Sequence, residues 1–401
     1  MSQKRILFLG ASAQQIPPIK YALDQGHYVI TCDYLPGNPG HQLAHEWHNV
    51  STTDKEAVLS LARELKIDGI VAYASDPAAP TQAYVAEKME LVGNPYESVE
   101  ILARKDYFRE FLVKNGFNTP RSESFYELDQ AKKWLDTIGT PAFIKPIDSS
   151  GSKGVTNIKH RNDLEKAFNY ALSFSREKKV VVEEAIARSG YQVDSDIFMS
   201  RGEIVFWIWG DQHQDILCHP YAPIAISFPS VLSAEAQVKA KNEVEAILKK
   251  LGFMFGAFNV EFVVDEKGDV WVIEIGPRNG GNLIPQVIKY VSNVDMIAAT
   301  VDESIGKSFD KSVNRELNGY WSSYIVHARE DGIFKELYLS ERVKPYIVEQ
   351  HIYAKAGDEV RQFSGSQDTL GMMILKYPSM ETMLDMTDNM ENDILVLTEE
   401  R

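Results

Sequence analysis

Apolar and polar residues along the first hundred positions follow a pattern that predicts a layered β/α unit. Short apolar runs at Arg5–Leu9, His27–Cys32 and Gly69–Tyr73 are typical of buried strands, and an amphipathic spacing covers Asp54–Lys66. Strands that alternate with helices favour a parallel sheet covered on both faces. We therefore predict that residues 1–97 form an N-terminal Rossmann-like α/β domain.

The turn after the first strand argues against a dinucleotide site. Residues 10–15 read Gly-Ala-Ser-Ala-Gln-Gln and lack the second and third glycines of the G-x-G-x-x-G fingerprint. Those glycines let the backbone approach a pyrophosphate closely. The first domain is therefore expected to have this layout without binding a dinucleotide.

A second pattern begins after Pro120 and predicts a small central α+β domain. Strands at Ala142–Pro146 and Val155–Ile158 flank a loop rich in glycine and serine, and a helix from Asn162 precedes an apolar strand that starts at Val180. Together with two linking helices, this pattern assigns residues 98–187 to the central domain.

The remaining chain predicts a C-terminal α+β domain over residues 188–401. It is rich in strands up to about Trp209, and a helix at Ala234–Leu251 precedes two strands separated by the turn signal Asp265–Gly268. Further strands are expected near Tyr320–His327 and Gly371–Tyr377.

Composition adds limits on the class of protein. The 401 residues are 44% hydrophobic and 25% charged, which is ordinary for a globular chain of several domains. No apolar stretch approaches the roughly 18 residues of a membrane span, and the first strand is too short for a signal-peptide core. With only two cysteines, Cys32 and Cys218, we expect a reduced cytoplasmic protein with no membrane partner.

The net charge of −15 argues against nucleic acid as a partner, because such binding depends on neutralising phosphates. A small anionic ligand remains compatible with it. A few local lysines and glycine amides suffice to hold one phosphate group.

The segment from Phe143 to Val155 has the chemistry of a phosphate site. Lys145 ends a strand and is followed by a loop that contains Ser150, Gly151, Ser152 and Gly154. Glycines let successive N–H groups turn toward one anion, serines add hydroxyl donors, and the lysine supplies a point charge. The Walker sequence G-x-x-x-x-G-K-[ST] is absent, and a flexible hairpin loop is the alternative interpretation.

Two pairs of glutamates end or interrupt apolar strands. Glu183 and Glu184 close the strand that starts at Val180, where adenine and ribose contacts often lie. Glu261 and Glu274 occupy two strands joined by a turn, so they can face each other across a hairpin. Facing buried carboxylates repel unless a cation lies between them, and Mg²⁺ prefers such oxygen ligands. A structural pairing with Lys or Arg is the alternative.

In this order the segments resemble the ATP-grasp superfamily over nearly the whole chain, in its carboxylate–amine (amino-acid) ligase branch. The resemblance implies an N-terminal Rossmann-like domain, a central nucleotide-clamping domain and a C-terminal domain with the metal carboxylates. It implies ATP contacts at Lys105, Lys145, Ser150, Gly151, Ser152, Gly154, Glu183, Glu184, Ala185 and Ile186. It implies Mg²⁺ ligands at Glu261 and Glu274, with Mn²⁺ as a substitute, and catalytic roles for Arg278 and Lys145.

The chain departs from the family pattern at two positions. Gly276 stands where the metal strand commonly carries asparagine, and Gly190 stands where a glutamate commonly binds ribose. Water or a substrate oxygen then replaces the missing metal ligand, and Glu183 or Glu184 is left to contact the ribose. The number of bound Mg²⁺ ions therefore stays open.

The implied activity is an ADP-forming carbon–nitrogen ligase that activates a carboxylate as an acyl phosphate and transfers it to an amine. A bicarbonate-using carboxylase or glycinamide-type synthetase, and an ATP-binding regulatory protein without turnover, are the alternatives. The partners are small molecules whose identity the sequence leaves open, as it does the pathway and the assembly, with a homodimer as one option. Candidate substrate-pocket residues are Asp76, Gln212, His213, His219, Tyr221, His327 and Arg329.

Overall fold

The computed structural model of the protein describes residues 2–309 and 316–399. Its α-helices are α1 (Ile16–Asp24), α2 (Lys55–Leu65), α3 (Ala79–Lys88), α4 (Tyr96–Ala103), α5 (Lys105–Asn115), α6 (Leu128–Ile138), α7 (Leu164–Phe174), α8 (Ala234–Lys250), α9 (Ile284–Ser292), α10 (Met296–Ser304) and α11 (Met380–Asp388).

Its first ten strands are β1 (Arg5–Leu9), β2 (Tyr28–Cys32), β3 (Glu46–His48), β4 (Gly69–Val71), β5 (Ser122–Phe125), β6 (Ala142–Pro146), β7 (Thr156–Ile158), β8 (Val180–Glu184), β9 (Val193–Ser200) and β10 (Glu203–Trp207). The other ten are β11 (Gly210–Gln214), β12 (Pro223–Phe228), β13 (Gly256–Val264), β14 (Val270–Gly276), β15 (Tyr320–Val326), β16 (Gly332–Leu339), β17 (Ile347–Ile352), β18 (Glu359–Val360), β19 (Gly371–Tyr377) and β20 (Ile394–Glu399).

The first sheet has the order β3-β2-β1-β4 and is parallel throughout. Its apolar strand residues, such as Leu7, Ile30 and Ile70, are fully buried and pack against α2 residues that include Val58. An apolar run buried on both faces is what a parallel sheet requires. The prediction of an N-terminal Rossmann-like sheet is confirmed.

The central sheet has the order β5-β8-β6-β7 and is antiparallel. Ile144 of β6 and Val182 of β8 face a core that α7 closes with Phe168. The register places Phe143 opposite Glu183, so Lys145, two residues further along β6, lies on the same face as that glutamate.

A large sheet of nine strands lies in the C-terminal part of the chain. Its order is β14-β13-β9-β11-β12-β15-β19-β17, and β10 also pairs with β9. The strands that carry Glu274, Glu261 and Asp194 are therefore neighbours at one edge of the sheet. A separate small sheet has the order β18-β16-β20. The mixed α/β architecture that the sequence predicts is confirmed.

The linking helices bring the central sheet and the large sheet together. The backbone N–H of Lys105, at the start of α5, donates to the carbonyl oxygen of Ile147 just beyond β6 at 3.0 Å. In α4, the hydroxyl of Ser98 donates to the carbonyl oxygen of Leu251 after α8 at 2.5 Å. These bonds hold α5 beside the central sheet and α4 beside the end of α8.

The boundaries at residues 97 and 187 stay predictions, and the last predicted domain includes residues 310–315, 400 and 401, which lie outside the described ones. Among the helices of the described residues, none is both long enough and apolar enough for a membrane crossing.

Candidate active site

Three carboxylates face one another on adjacent strands of the large sheet. Glu261 of β13 pairs in register with Glu274 of β14 on one side and with Asp194 of β9 on the other. Side chains directly opposite in an antiparallel pair have Cβ atoms only about 5 Å apart. The hairpin prediction for the two glutamates is confirmed in its register, and Asp194 adds a carboxylate that sequence reasoning did not select.

The electrostatics of this carboxylate group favour a divalent cation. Burial, together with the charges of Asp194 and Glu274, raises the pKa of Glu261 to about 8. Burial likewise raises the pKa of Asp194 to about 6. A hard cation with oxygen ligands would remove this repulsion, so the donor set fits Mg²⁺.

Amide side chains support the same carboxylates. The Nε2 atom of Gln192 donates to Oε2 of Glu261 at 2.8 Å, and the Nδ2 atom of Asn259 donates to Oδ1 of Asp194 at 2.7 Å. Gln212, a predicted pocket residue, donates from Nε2 to Oδ2 of Asp194 at 3.2 Å. These donors orient the carboxylates while leaving other oxygen lone pairs for a metal.

Asp196 holds the loop that follows β14. Its two carboxylate oxygens accept from the N–H of Gly280 at 2.7 and 2.8 Å, and Oδ1 also accepts from Asn259. Burial raises the pKa of Asp196 to about 7. This contact fixes the loop directly after Arg278.

Lys105 lies beside the facing carboxylates. Its Nζ donates to Oε2 of Glu274 at 2.9 Å and to the carbonyl oxygen of Ser149 at 3.0 Å. Burial opposes the charged form, but the charges of Glu274 and Asp76 outweigh it and raise the pKa of Lys105. Lys105 is therefore a cation that links α5, the glycine-rich loop and β14.

Lys145 is part of a buried triad with two other charged side chains. Its Nζ lies 2.6 Å from Oε1 of Glu183, and Nε of Arg109 lies 2.7 Å from Oε2 of the same carboxylate. Burial raises the pKa of Glu183, but the two cations reverse this effect and hold it at about 2. Burial also lowers the pKa of Lys145, which is only 7% exposed.

Both glutamates at the end of β8 form ion pairs with basic side chains. Glu184 accepts from the backbone N–H of Arg121 at 2.9 Å and from its Nε at 2.7 Å. Glu183 holds Lys145 and Arg109, so both carboxylates are engaged by cationic side chains in this structure. The backbone N–H of Ala185 donates to the carbonyl oxygen of Pro141 at 3.2 Å.

The glycine-rich loop adopts left-handed backbone at Gly151, Ser152 and Gly154, with φ of +67°, +59° and +76°. The Ser152 hydroxyl donates to the carbonyl oxygen of Tyr221 at 3.2 Å. A Cβ added to Gly151 would lie 2.5 Å from Oγ of Ser366. The loop therefore packs against the C-terminal half of the chain.

Arg278 forms a two-pronged ion pair with the N-terminal domain. Its Nε donates to Oδ1 of Asp76 and its Nη2 to Oδ2, both at 2.7 Å, while Nη1 donates to the carbonyl oxygen of Asn279 at 3.0 Å. Asp76 raises the pKa of Arg278 further above its usual range, against the effect of burial. Fork-to-fork pairs of this kind fix orientation as well as charge.

A pocket of about 500 Å³ unites several of these residues. Its walls include Asp76, Lys105, Ser149, Ser150, Glu274 and Gly276. The turn that follows β4, the start of α5, the glycine-rich loop and β14 thus meet at one cleft. Lys145 is not among the residues that line it.

The remaining predicted pocket residues have structural partners. His213 lies 2.8 Å from Oγ of Ser227 and 2.6 Å from Oδ1 of Asp388. His327 and Arg329 both contact Oδ2 of Asp215, at 3.2 and 2.8 Å. His219 accepts from the N–H of Ala222 at 2.9 Å, and the carbonyl of Tyr221 accepts from Ser152. Only Asp76 and Gln212 of this set contact the charged site directly.

Sequence reasoning missed Asp194, Asp196, Asn259 and Arg109. The alternation Asp194-Ser-Asp196 within an otherwise apolar strand is a signal that could have identified the first two, because buried acids need a partner. Arg109 lies on α5 one turn after Lys105, which gives no comparable signal.

The middle of the chain matches a known protein family, and curated relatives match most of its length. Residues 110–282 match the family described as ATP-grasp domain. A formate-dependent phosphoribosylglycinamide formyltransferase of Methanococcus maripaludis is 27% identical over 314 residues, which cover 74% of this chain and 76% of that protein. An uncharacterized protein of Sinorhizobium fredii is 26% identical over 342 residues, which cover 82% of this chain and 69% of the relative.

Solved structures share the fold over the whole chain. An L-amino acid ligase from Bacillus licheniformis has a TM-score of 0.82 at 19% identity and covers all of both chains. A phosphoribosylglycinamide synthetase from Anaerococcus prevotii has a TM-score of 0.76 at 23% identity and covers 99% of this chain and all of that one. Residues 110–282 match the ATP-grasp domain, and the chain shares the fold of these solved structures, which confirms the resemblance to ATP-grasp proteins predicted from its motifs.

Proposed function

We propose that this ATP-grasp chain is an ATP- and Mg²⁺-dependent ligase that joins a carboxylate to an amine through an acyl phosphate and releases ADP and phosphate. The observation that carries the proposal is the convergence of Glu261, Glu274 and Asp194 with Lys105 and Arg278. Anion-binding and cation-binding groups that meet in one cleft suit a metal-bound triphosphate.

Glu261 and Glu274 would hold the Mg²⁺, and Asp194 stands beside them. The ion would supply charge neutralisation on the phosphates of ATP. Gly276 provides no side-chain oxygen at the position where the family commonly has asparagine. The carboxylate of Asp194 is a candidate replacement, since it faces Glu261 from the opposite strand.

Lys105, Lys145 and the loop from Ser150 to Gly154 bind the phosphates in this proposal. Lys105 already contacts the loop through the carbonyl of Ser149, so closure of the loop and placement of the lysine are linked. Glu183 and Arg109 position Lys145, because the buried carboxylate holds its ammonium group at 2.6 Å. The strand end at Glu184, Ala185 and Ile186 contacts the adenine.

Arg278 stabilises the charge that develops when the substrate carboxylate attacks the γ-phosphorus and when the amine then attacks the acyl group. Preorganised donors of this kind lower the barrier because they need no reorientation during the reaction. Asp76 serves as the positioning residue, since both of its oxygens hold the guanidinium group.

A second candidate function is the same chemistry with a phosphorylated glycinamide-type amine and a very small carboxylate. The relatives named as formate-dependent phosphoribosylglycinamide formyltransferases favour it. A bicarbonate-using carboxylase on the same scaffold would be distinguished by ADP formation that depends on bicarbonate.

The product nucleotide tests the proposal. Purified protein is incubated with Mg-ATP and mixtures of carboxylates and amines, and ADP, AMP and phosphate are measured. We expect carboxylate-dependent ADP, and hydroxylamine should trap the acyl phosphate as a hydroxamate when the amine is omitted. Formation of AMP and pyrophosphate would refute the mechanism. ADP that depends on bicarbonate would favour the carboxylase, and ATP binding without any product would favour a regulatory protein.

A further inference from the structure

A second pocket is separate from the cleft that Asp76, Lys105 and Glu274 line. It lies where the first sheet meets the start of β13 and α10. It has a volume of about 470 Å³, and its walls include Ala72, Asn94, Gly256, Asn279, Thr300 and Glu303. Pro277 lines both this pocket and the cleft, so the two are neighbours. We refer to it as the Glu303 pocket.

Glu303 is an unpaired buried acid. The residue is only 9% exposed. Its carboxylate forms no hydrogen bond or ion pair with any of the described residues. Burial alone raises its pKa to about 8. Buried carboxylates are almost always paired, so this one indicates a missing partner.

Two amide side chains among the residues that line the pocket have unsatisfied atoms. The Oδ1 atom of Asn94 and the Nδ2 atom of Asn279 are buried and have no hydrogen-bond partner among the described residues. The other ends of both amides are anchored: Nδ2 of Asn94 donates to the carbonyl oxygen of Phe255 at 2.9 Å, and Oδ1 of Asn279 accepts from the Thr300 hydroxyl at 2.8 Å.

Between Asn94 and Glu303 the pocket wall is formed by the backbone of Gly256, which has no side chain. A Cβ added to Gly256 would lie 3.5 Å from Nδ2 of Asn94 and 3.9 Å from Oε2 of Glu303. The amide and the carboxylate are therefore close enough for one small group to contact both. A carboxylate and an amide oxygen that both lack partners favour a ligand that is a cation and donates hydrogen bonds.

We propose that the Glu303 pocket binds a small protonated amine. The ammonium group donates to the carboxylate of Glu303 and to Oδ1 of Asn94, and an acceptor atom beside it, on the same molecule or on an accompanying water, satisfies Nδ2 of Asn279. A divalent metal is a poorer fit, because the pocket offers it only one carboxylate and the oxygen ligands that such an ion prefers are otherwise few. This binding goes beyond the ligation proposed above and does not depend on turnover.

Thermal unfolding of the ATP-free full-length protein tests the proposal with methylammonium chloride as the probe. Tetramethylammonium chloride at the same concentration is the control salt, because it has the charge but no N–H donor. We expect methylammonium to raise the Tm of the wild type by about 2 °C or more relative to the control salt. An equal Tm in the two salts would overturn the proposal.

Two variants localise the effect. Glu303→Gln should fold, since glutamine has nearly the same size and brings no charge into the pocket, and should lose the methylammonium-specific shift. Glu97→Gln, which makes the same change on the exposed face of α4, should keep it. An undiminished shift in Glu303→Gln would overturn the assignment, because binding would then lie elsewhere. Asn94→Ala provides an independent check and should reduce the shift. Since no ATP is present, failure of the ligase reaction would leave these results unchanged.

Discussion

The Nζ atom of Lys105 lies 2.9 Å from Oε2 of Glu274, the carboxylate proposed to bind Mg²⁺. The same ammonium group lies 3.0 Å from the carbonyl oxygen of Ser149, at the start of the glycine-rich loop. In the absence of a metal it offsets part of the repulsion between Glu274 and Glu261. Binding of Mg-ATP is therefore expected to move Lys105 away from the carboxylate and toward the phosphates.

Replacement of Lys145 with alanine should weaken ATP binding and lower ADP formation by roughly 100-fold or more. The variant removes the proposed phosphate contact and also leaves Arg109 as the one remaining cation of the buried triad beside Glu183. Steady-state measurement of ADP release and ATP binding checks both effects. Lys159→Ala, an exposed lysine beyond β7, is the matched control and should behave as wild type. Unchanged kinetics in Lys145→Ala would contradict the nucleotide-site assignment.

Glu274→Gln should fold but lose ligase activity at any practical Mg²⁺ concentration. An amide cannot balance the charge of the ion, while removal of one of several facing carboxylates relieves repulsion in the metal-free protein. Mg-ATP should raise the Tm of the wild type and not of this variant. Glu266→Gln, in the exposed turn of the same hairpin, should retain the Tm shift and the activity. Full activity of Glu274→Gln would exclude this carboxylate as a metal ligand.

The buried triad predicts a specific dependence of stability on pH. Because the pKa of Glu183 is lowered to about 2, its ionised form stabilises the fold above the usual glutamate pKa near 4.5, and this contribution is lost as the pH falls toward 2. Glu183→Gln leaves two cations without their buried partner and should cost about 3–5 kcal/mol at pH 7.

The measurement is the free energy of unfolding by urea for both proteins across the acid range. The difference between wild type and Glu183→Gln should shrink below about pH 4.5, since groups common to both proteins cancel. Glu184→Gln is the control and should cost only about 1 kcal/mol or less, because its partner Arg121 is exposed. A difference that stays constant down to pH 3 would show that Glu183 is not held ionised by the triad.

The pair Asp76–Arg278 should behave as one unit in a double-mutant cycle. Asp76→Asn removes the charge that orients the guanidinium group, and Arg278→Lys keeps the charge but loses the two-pronged geometry. Each single variant should lower kcat by about 10-fold or more, and the double variant should be less impaired than the product of the two effects. The exposed pair Arg161–Asp136 is the control, since Asp136→Asn should leave kcat unchanged. Strictly additive effects would mean that Asp76 does not act through Arg278.

Local patterns were sufficient to predict the N-terminal sheet and the facing glutamates. The runs at β1, β2 and β4 are continuous and apolar, as parallel strands require, and Glu261 and Glu274 lie on strands joined by a short turn that fixes their register. Both features depend on residues close together in the chain.

Contacts between distant segments could not be predicted in the same way. Asp194 reaches Glu261 only because β9 pairs with β13, although about sixty residues separate the two strands. Arg109 reaches Glu183 only because α5 packs beside the end of β8. Such partners follow from the three-dimensional arrangement of the elements, for which the sequence offers no local periodicity. The metal, ATP and catalytic roles of the individual side chains stay predictions until the variants are measured.

The hydrogen-bonding capacity of Arg278 limits how an anion can approach it. A guanidinium group has five N–H donors in one plane. The described contacts engage Nε and one hydrogen each of Nη1 and Nη2, so one hydrogen remains on each of the two terminal nitrogens. In the proposed reaction, these two donors are all that Arg278 can offer to a substrate oxyanion while its ion pair with Asp76 stays intact.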